Sequence, residues 1–130
     1  MKNKRGFTLI ELLVVISIIG VLALMGLRVY LSQQDKAKNA LVKANTGTVQ
    51  TLIQAELADR NLTLEEAVDY IVAQAGLHNP FNSAFMNEAG YFPETADVPG
   101  EIQITLLGET FSIQGYGAEG LLPDILTARR

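Results

Sequence analysis

The sequence predicts an α+β protein: one very long amino-terminal helix, then a small globular head in which a second helix meets a short antiparallel sheet. Three observations point there. Residues 7–27 read FTLIELLVVISIIGVLALMGL, an apolar run broken by the single charge of Glu11. Helical spacing then continues without a proline to about Asp59. Near the carboxyl end, Glu101–Leu107 and Thr110–Tyr116 alternate apolar with polar residues and are joined by Gly108-Glu109, as in a tight II′ hairpin.

The apolar run has the length of a membrane span. As a helix rising ~1.5 Å per residue it covers ~30 Å, the thickness of a bilayer's hydrocarbon core. A secretory signal peptide has a shorter apolar region and a small-residue cleavage site, and Ala23-Leu24-Met25 is a poor one. Lys2, Lys4 and Arg5 hold the amino end in the cytoplasm. Arg28, Lys36, Lys38 and Lys43 follow the span but are diluted, and Asp35 offsets them in part, so the carboxyl side is expected outside. A carboxylate inside such a span costs ~2.5–3.5 kcal/mol on insertion scales. Glu11 therefore either snorkels to the membrane edge or awaits a cationic partner.

Lys4-Arg5-Gly6-Phe7-Thr8-Leu9-Ile10-Glu11-Leu12 resembles the prepilin leader of type IV pilins and type II secretion pseudopilins. The close match covers roughly residues 4–25. The resemblance implies that a membrane peptidase cuts after Gly6, that the new terminus at Phe7 is methylated, and that Glu11 guides docking into a filament. The Phe7 α-amine would then lie within one helical turn of Glu11, able to pair with that acid in its own chain or in a neighbour's. Many family members carry a proline soon after the apolar run. This chain has Gly26 in that neighbourhood, Gly20 earlier in the run, and no proline before Pro80. Each glycine costs roughly 1 kcal/mol against alanine in a helix. They mark either an extensible stretch or close helix packing.

Beyond the span, Val29, Ala37, Ala40, Leu41, Ala44, Val49, Leu52, Ile53 and Leu57 recur at helical spacing; Asn45-Thr46-Gly47-Thr48 is the weak point for a bend or break, and the expectation is one long helix from Phe7 to about Asp59. Thr63 with Glu66 makes a capping box, opening a helix over about 64–75 that Gly76 stops. Residues 77–100 are loop-like and hold three of the four prolines and the only histidine. Ile102, Ile104, Leu106, Phe111 and Ile113 supply the apolar face of the hairpin. A third strand is expected from Gly90-Tyr91-Phe92 or from the tail, because two strands alone are marginal. The expected organisation is a leader over 1–6, a transmembrane and filament-core half-helix over 7–27, an amphipathic half-helix over 28–59, and a head over 60–130. The family resemblance implies the same lollipop shape.

Composition narrows the chemistry. The net charge is −4. Without Lys2, Lys4 and Arg5 the side-chain balance is −7, which argues against nucleic-acid binding. There is no cysteine, and His78 is the sole histidine, so neither a Ser-His-Asp triad nor an H-E-x-x-H zinc site can be built. Glu65, Glu66 and Asp69 fit a solvated helix face. The glycine-rich stretch 115–124 offers only Glu119 and Asp124 to a calcium ion that takes 6–8 oxygen ligands, so a plain glycine turn is expected. Asn61-Leu62-Thr63 matches a glycosylation sequon, and a helix start explains it equally.

The expectation is a structural protein rather than an enzyme, with no cofactor, no metal site and no catalytic residue. It waits as a precursor in the inner membrane and polymerises with copies of itself into a cell-surface filament. The resemblance names the helpers: a prepilin peptidase, an assembly ATPase and a membrane platform. A pseudopilin of type II secretion or DNA uptake fits the same residues. An uncleaved, single-pass anchored binding domain would share the topology and keep Met1.

Overall fold

The computed structural model describes Asn3 and residues 5–130; Lys2 and Lys4, the leader cations weighed above, lie outside the described residues. Helix α1 runs unbroken from Leu9 to Asp59 and helix α2 from Leu64 to Gln74, followed by a three-residue 3-10 turn at Ala89–Tyr91. Strands β1 (Ile102–Leu107), β2 (Thr110–Tyr116) and β3 (Leu121–Arg129) form one antiparallel sheet in the order β1-β2-β3. The α+β class is as the sequence predicts. The chain divides into two compact units, one ending at Gln34 and the other spanning Asp35–Arg130.

In the first unit every described residue is exposed. Its helical stretch is long and apolar enough to cross a membrane. Ser17 is the one hydroxyl on its apolar stretch beyond Thr8, and it bonds back to the Leu13 carbonyl at 2.7 Å. No side-chain polar group of Ser17 therefore faces lipid unsatisfied.

The second unit has a single core. Val49, Ile53 and Leu57 from α1 meet Ala67, Val68 and Ile71 from α2, and Ile102, Ile104, Phe111 and Ile113 close it from the sheet. The buried face of α1 is Val42, Thr46, Val49, Ile53 and Leu57, at i+4 and i+3 steps. Ala37, Leu41 and Ala44, grouped with that face by spacing alone, are exposed on another side. The helix runs through the weak point Asn45-Thr46-Gly47-Thr48 without a break, as the single long helix expected. Thr46, Thr48 and Thr51 each return their hydroxyl to the carbonyl four residues earlier, at 2.8, 3.1 and 2.9 Å. These polar side chains are satisfied within the helix instead of competing with it.

Helix α2 begins at the expected capping box. The Thr63 backbone N–H and hydroxyl donate to Glu66 at 2.9 and 3.0 Å, and the Glu66 N–H donates back to Thr63 Oγ1 at 3.3 Å. Those two bonds hold the Glu66 carboxyl below its usual range, backbone donor first, with Arg60 nearby adding to the effect. Arg60 joins the two helices: its guanidinium donates to Glu56 at 2.7 Å and lies 3.7 Å from Glu66. The Glu56 bond raises the arginine's already high pKa.

The hairpin turn has Gly108 at φ 65°, while no positive φ falls on Glu109, as a II′ turn requires. The third strand comes from the tail; Gly90-Tyr91-Phe92 falls at the 3-10 turn instead. Strand β3 is a sheet edge, and Pro123 is tolerated there because an edge strand needs no inner donor at every residue. Gln50 and Gln54 of α1 cover part of that edge, donating to the carbonyls of Thr127 and Arg129, both at 2.8 Å. The match is geometric: four residues of helix rise ~6 Å and two residues of strand rise ~6.6 Å.

Candidate functional site

The sequence-predicted site residues fall at the start of α1. Gly6 and Phe7 precede the helix and are exposed, Phe7 at 89%. Among the described residues, nothing beyond its chain neighbours approaches within 4 Å of the position a Cβ would take on Gly6.

Glu11 is not unpartnered. The helix starts at Leu9, and the Leu12 N–H donates to the Thr8 carbonyl at 3.3 Å, which makes Thr8 the residue that caps it. The Thr8 N–H donates to Glu11 Oε2 at 2.9 Å, and the Glu11 N–H donates to Thr8 Oγ1 at 3.3 Å. This is the reciprocal capping box of α2 repeated, with Thr8 and Glu11 three residues apart like Thr63 and Glu66. The signal for it in the sequence is a threonine three residues before a glutamate at the start of an apolar run. A carboxylate offers about four acceptor positions. Among the described residues, Glu11 Oε1 is left without a donor.

A second feature lies in the unit that starts at Asp35. Opposite the buried face of α1, the exposed residues Ala37, Leu41, Ala44, Thr48, Thr51, Ala55 and Ala58 form a line at alternating four- and three-residue steps. No member of that line is charged and most are small, so another backbone can approach it closely. Gly20, Gly26 and Gly47 also leave open space where a Cβ would stand.

The remaining candidates resolve into ordinary structure. His78 is exposed, its ring 5.0 Å from that of Phe85. Glu65 and Asp69 are exposed on α2. In the 115–124 stretch, Asp124 pairs with Lys43 at 2.6 Å, Gly117 N–H donates to Gly120 O at 2.7 Å, and Ala118 N–H donates to Asn39 at 2.9 Å. Asn61 accepts from Arg130 at 3.1 Å.

Comparison with known proteins bears on the same end of the chain. Residues 1–27 match the family model described as the prokaryotic N-terminal methylation motif. A fimbrial protein, EcpB, of Eikenella corrodens is 37% identical over 73 residues, covering 55% of this chain and 46% of that protein. A type IV major fimbrial protein, FimA, of Dichelobacter nodosus is 38% identical over 56 residues, covering 43% and 36%. The likeness to the first extends well past the 27 residues of the motif. The chain spans less than half the length of these relatives. No solved structure matches. Motif and relatives together support the type IV pilin family resemblance carried by residues 4–25.

Proposed function

We propose that this chain is the precursor of a type IV pilin-like structural subunit, cut after Gly6, methylated at Phe7, and polymerised through its amino-terminal helix into a surface filament. The observation that carries the proposal is the methylation motif over residues 1–27 on a helix that can span a bilayer. The fimbrial relatives support it. So does the uncharged line on α1, which suits packing against other helices.

In this reading the membrane holds the subunit until assembly, and Glu11 drives the choice of neighbour. A carboxylate in hydrocarbon is costly, and a cationic α-amine at Phe7 of the next copy relieves that cost. Assembly then satisfies a charge that the lipid cannot. The prepilin peptidase, the assembly ATPase and its membrane platform supply cleavage and work; this subunit supplies shape and register.

Glu11→Val tests the proposal. An apolar residue is cheaper to insert, so membrane insertion and Gly6 cleavage stay intact while surface filaments are lost. Filaments are counted by electron microscopy at equal amounts of processed subunit. Wild-type numbers from Glu11→Val refute the docking role. Finding Met1 rather than Phe7 at the terminus of the membrane-bound protein refutes the cleavage and favours an anchored domain.

A further inference from the structure

We infer that Thr8 is a positioning residue for Glu11: it fixes one carboxylate oxygen within the chain so that the other is presented, already oriented, to the terminal amine of a second copy. The inference rests on the filament reading above and goes beyond it. That reading needs only an acid at position 11, whereas this one assigns a task to the residue before the helix.

The geometry divides the carboxylate into two halves. Oε2 lies 2.9 Å from the Thr8 N–H, and Oε1 has no donor among the described residues. The Glu11 N–H in turn donates to Thr8 Oγ1 at 3.3 Å, so the side chain of each residue is held by the backbone of the other. A glutamate side chain is free about three torsions, and binding through it ordinarily costs the ordering of all three. Here the helix start has ordered them before any partner arrives. One oxygen spent on the Thr8 N–H leaves the carboxylate its charge and its remaining acceptor positions, enough for an incoming ammonium.

The two satisfied donors matter equally in the membrane. The first N–H groups of a helix have no intrahelical partner, and in hydrocarbon no water replaces one. The box answers two of them and gives Glu11 a ligand of its own chain while the subunit waits. The Thr8 N–H engages Oε2 alone, so Oε1 and the charge of the carboxylate stay available to an ammonium. The waiting state is therefore stabilised without blocking assembly.

The substitution that isolates this role is Thr8→Val, which keeps size and branching and removes the acceptor hydroxyl; Thr8→Ser keeps the acceptor. Each is made in the full-length chain and compared as filaments per processed subunit, so that an effect on cleavage divides out. Thr8→Val is expected to lower that ratio about five- to tenfold, the scale of a lost helix cap, and Thr8→Ser to restore it. A wild-type ratio in Thr8→Val, or an equal defect in Thr8→Ser, overturns the inference. Glu11→Val alongside separates the two ideas: lost filaments there with normal ones in Thr8→Val leaves docking standing and removes the positioning role. Amide exchange of the processed full-length protein in detergent micelles is a second reading, independent of assembly. The Glu11 N–H is expected to be protected in the native protein and to lose protection in Thr8→Val. An unprotected Glu11 N–H in the native protein also overturns the inference.

Discussion

Adding one methyl group to each of two glycines is expected to shift head stability in opposite directions. In Gly115→Ala on β2, the new Cβ falls 2.4 Å from Val42 Cγ1 and 2.9 Å from Thr46 Oγ1. Carbon atoms sit comfortably at ~3.5–4.0 Å, so helix and strand must part by about 1 Å. Val42 is fully buried and β-branched on a helix, which leaves it one strongly preferred rotamer and little room to move aside. Overpacking of this kind costs ~1–3 kcal/mol, less ~0.5–1 kcal/mol recovered because alanine loses less backbone freedom than glycine. For a domain of this size, a net loss of ~1–2 kcal/mol lowers the unfolding midpoint by roughly 5–15 °C. In Gly47→Ala on α1 the methyl meets nothing within 4 Å. Helix propensity alone then applies, a gain of ~1 kcal/mol and a midpoint about 5 °C higher. The assay is thermal unfolding by circular dichroism on the fragment from Arg28 onward, expected to be soluble and cooperative because the unit from Asp35 carries its own core. A Gly115→Ala midpoint at or above that of the parent fragment refutes the close-approach argument. A lowered midpoint in Gly47→Ala refutes the claim of open space on α1.

Two further outcomes are expected. Replacing Gly6 with leucine should leave the leader attached, read as loss of the mobility shift between precursor and processed subunit, because a peptidase working at the membrane edge needs the bare backbone that glycine provides. Thr63→Ala should lower the head's midpoint by several degrees near neutral pH and flatten its acid dependence. The sign follows from Glu66, whose carboxyl is held low by the Thr63 N–H and hydroxyl: its stabilisation is complete above the unfolded glutamate range and disappears as pH falls through the folded value. Parent and variant midpoints should therefore draw closer on acidification, leaving the part due to the Glu66 N–H bond to Thr63 Oγ1, which does not titrate. A gap that stays the same size at low pH would show the loss to be unrelated to that carboxylate.

How far the molecule was legible depended on how local each signal is. The α2 capping box needs only Thr63 and Glu66 three residues apart, and the II′ hairpin needs only Gly108 between two alternating runs. Each was readable because its physics closes within a few residues. The same box at Thr8 and Glu11 was equally local, yet the isolated charge in an apolar run was the louder feature. Strand β3 was harder. Leu121-Leu122-Pro123 does not alternate, and a register irregularity between Gln114 and Tyr116 interrupts its pairing with β2. Only the partner strand and the two glutamines of α1 make the segment a strand.

Sequence alone determined the membrane-length helix, its acid at position 11 and the Gly6-Phe7 pair before it, because length, charge and spacing along one helix are properties of consecutive residues. Tertiary structure decided which side of α1 is which. Apolar residues occur on both faces beyond Asp35, and spacing could not separate Val42 and Thr46, buried against the Gly115 backbone, from Leu41 and Ala44, left exposed. That division depends on where the sheet sits. Burial is a relation between segments about 70 residues apart in the chain, and no periodicity within one helix contains it.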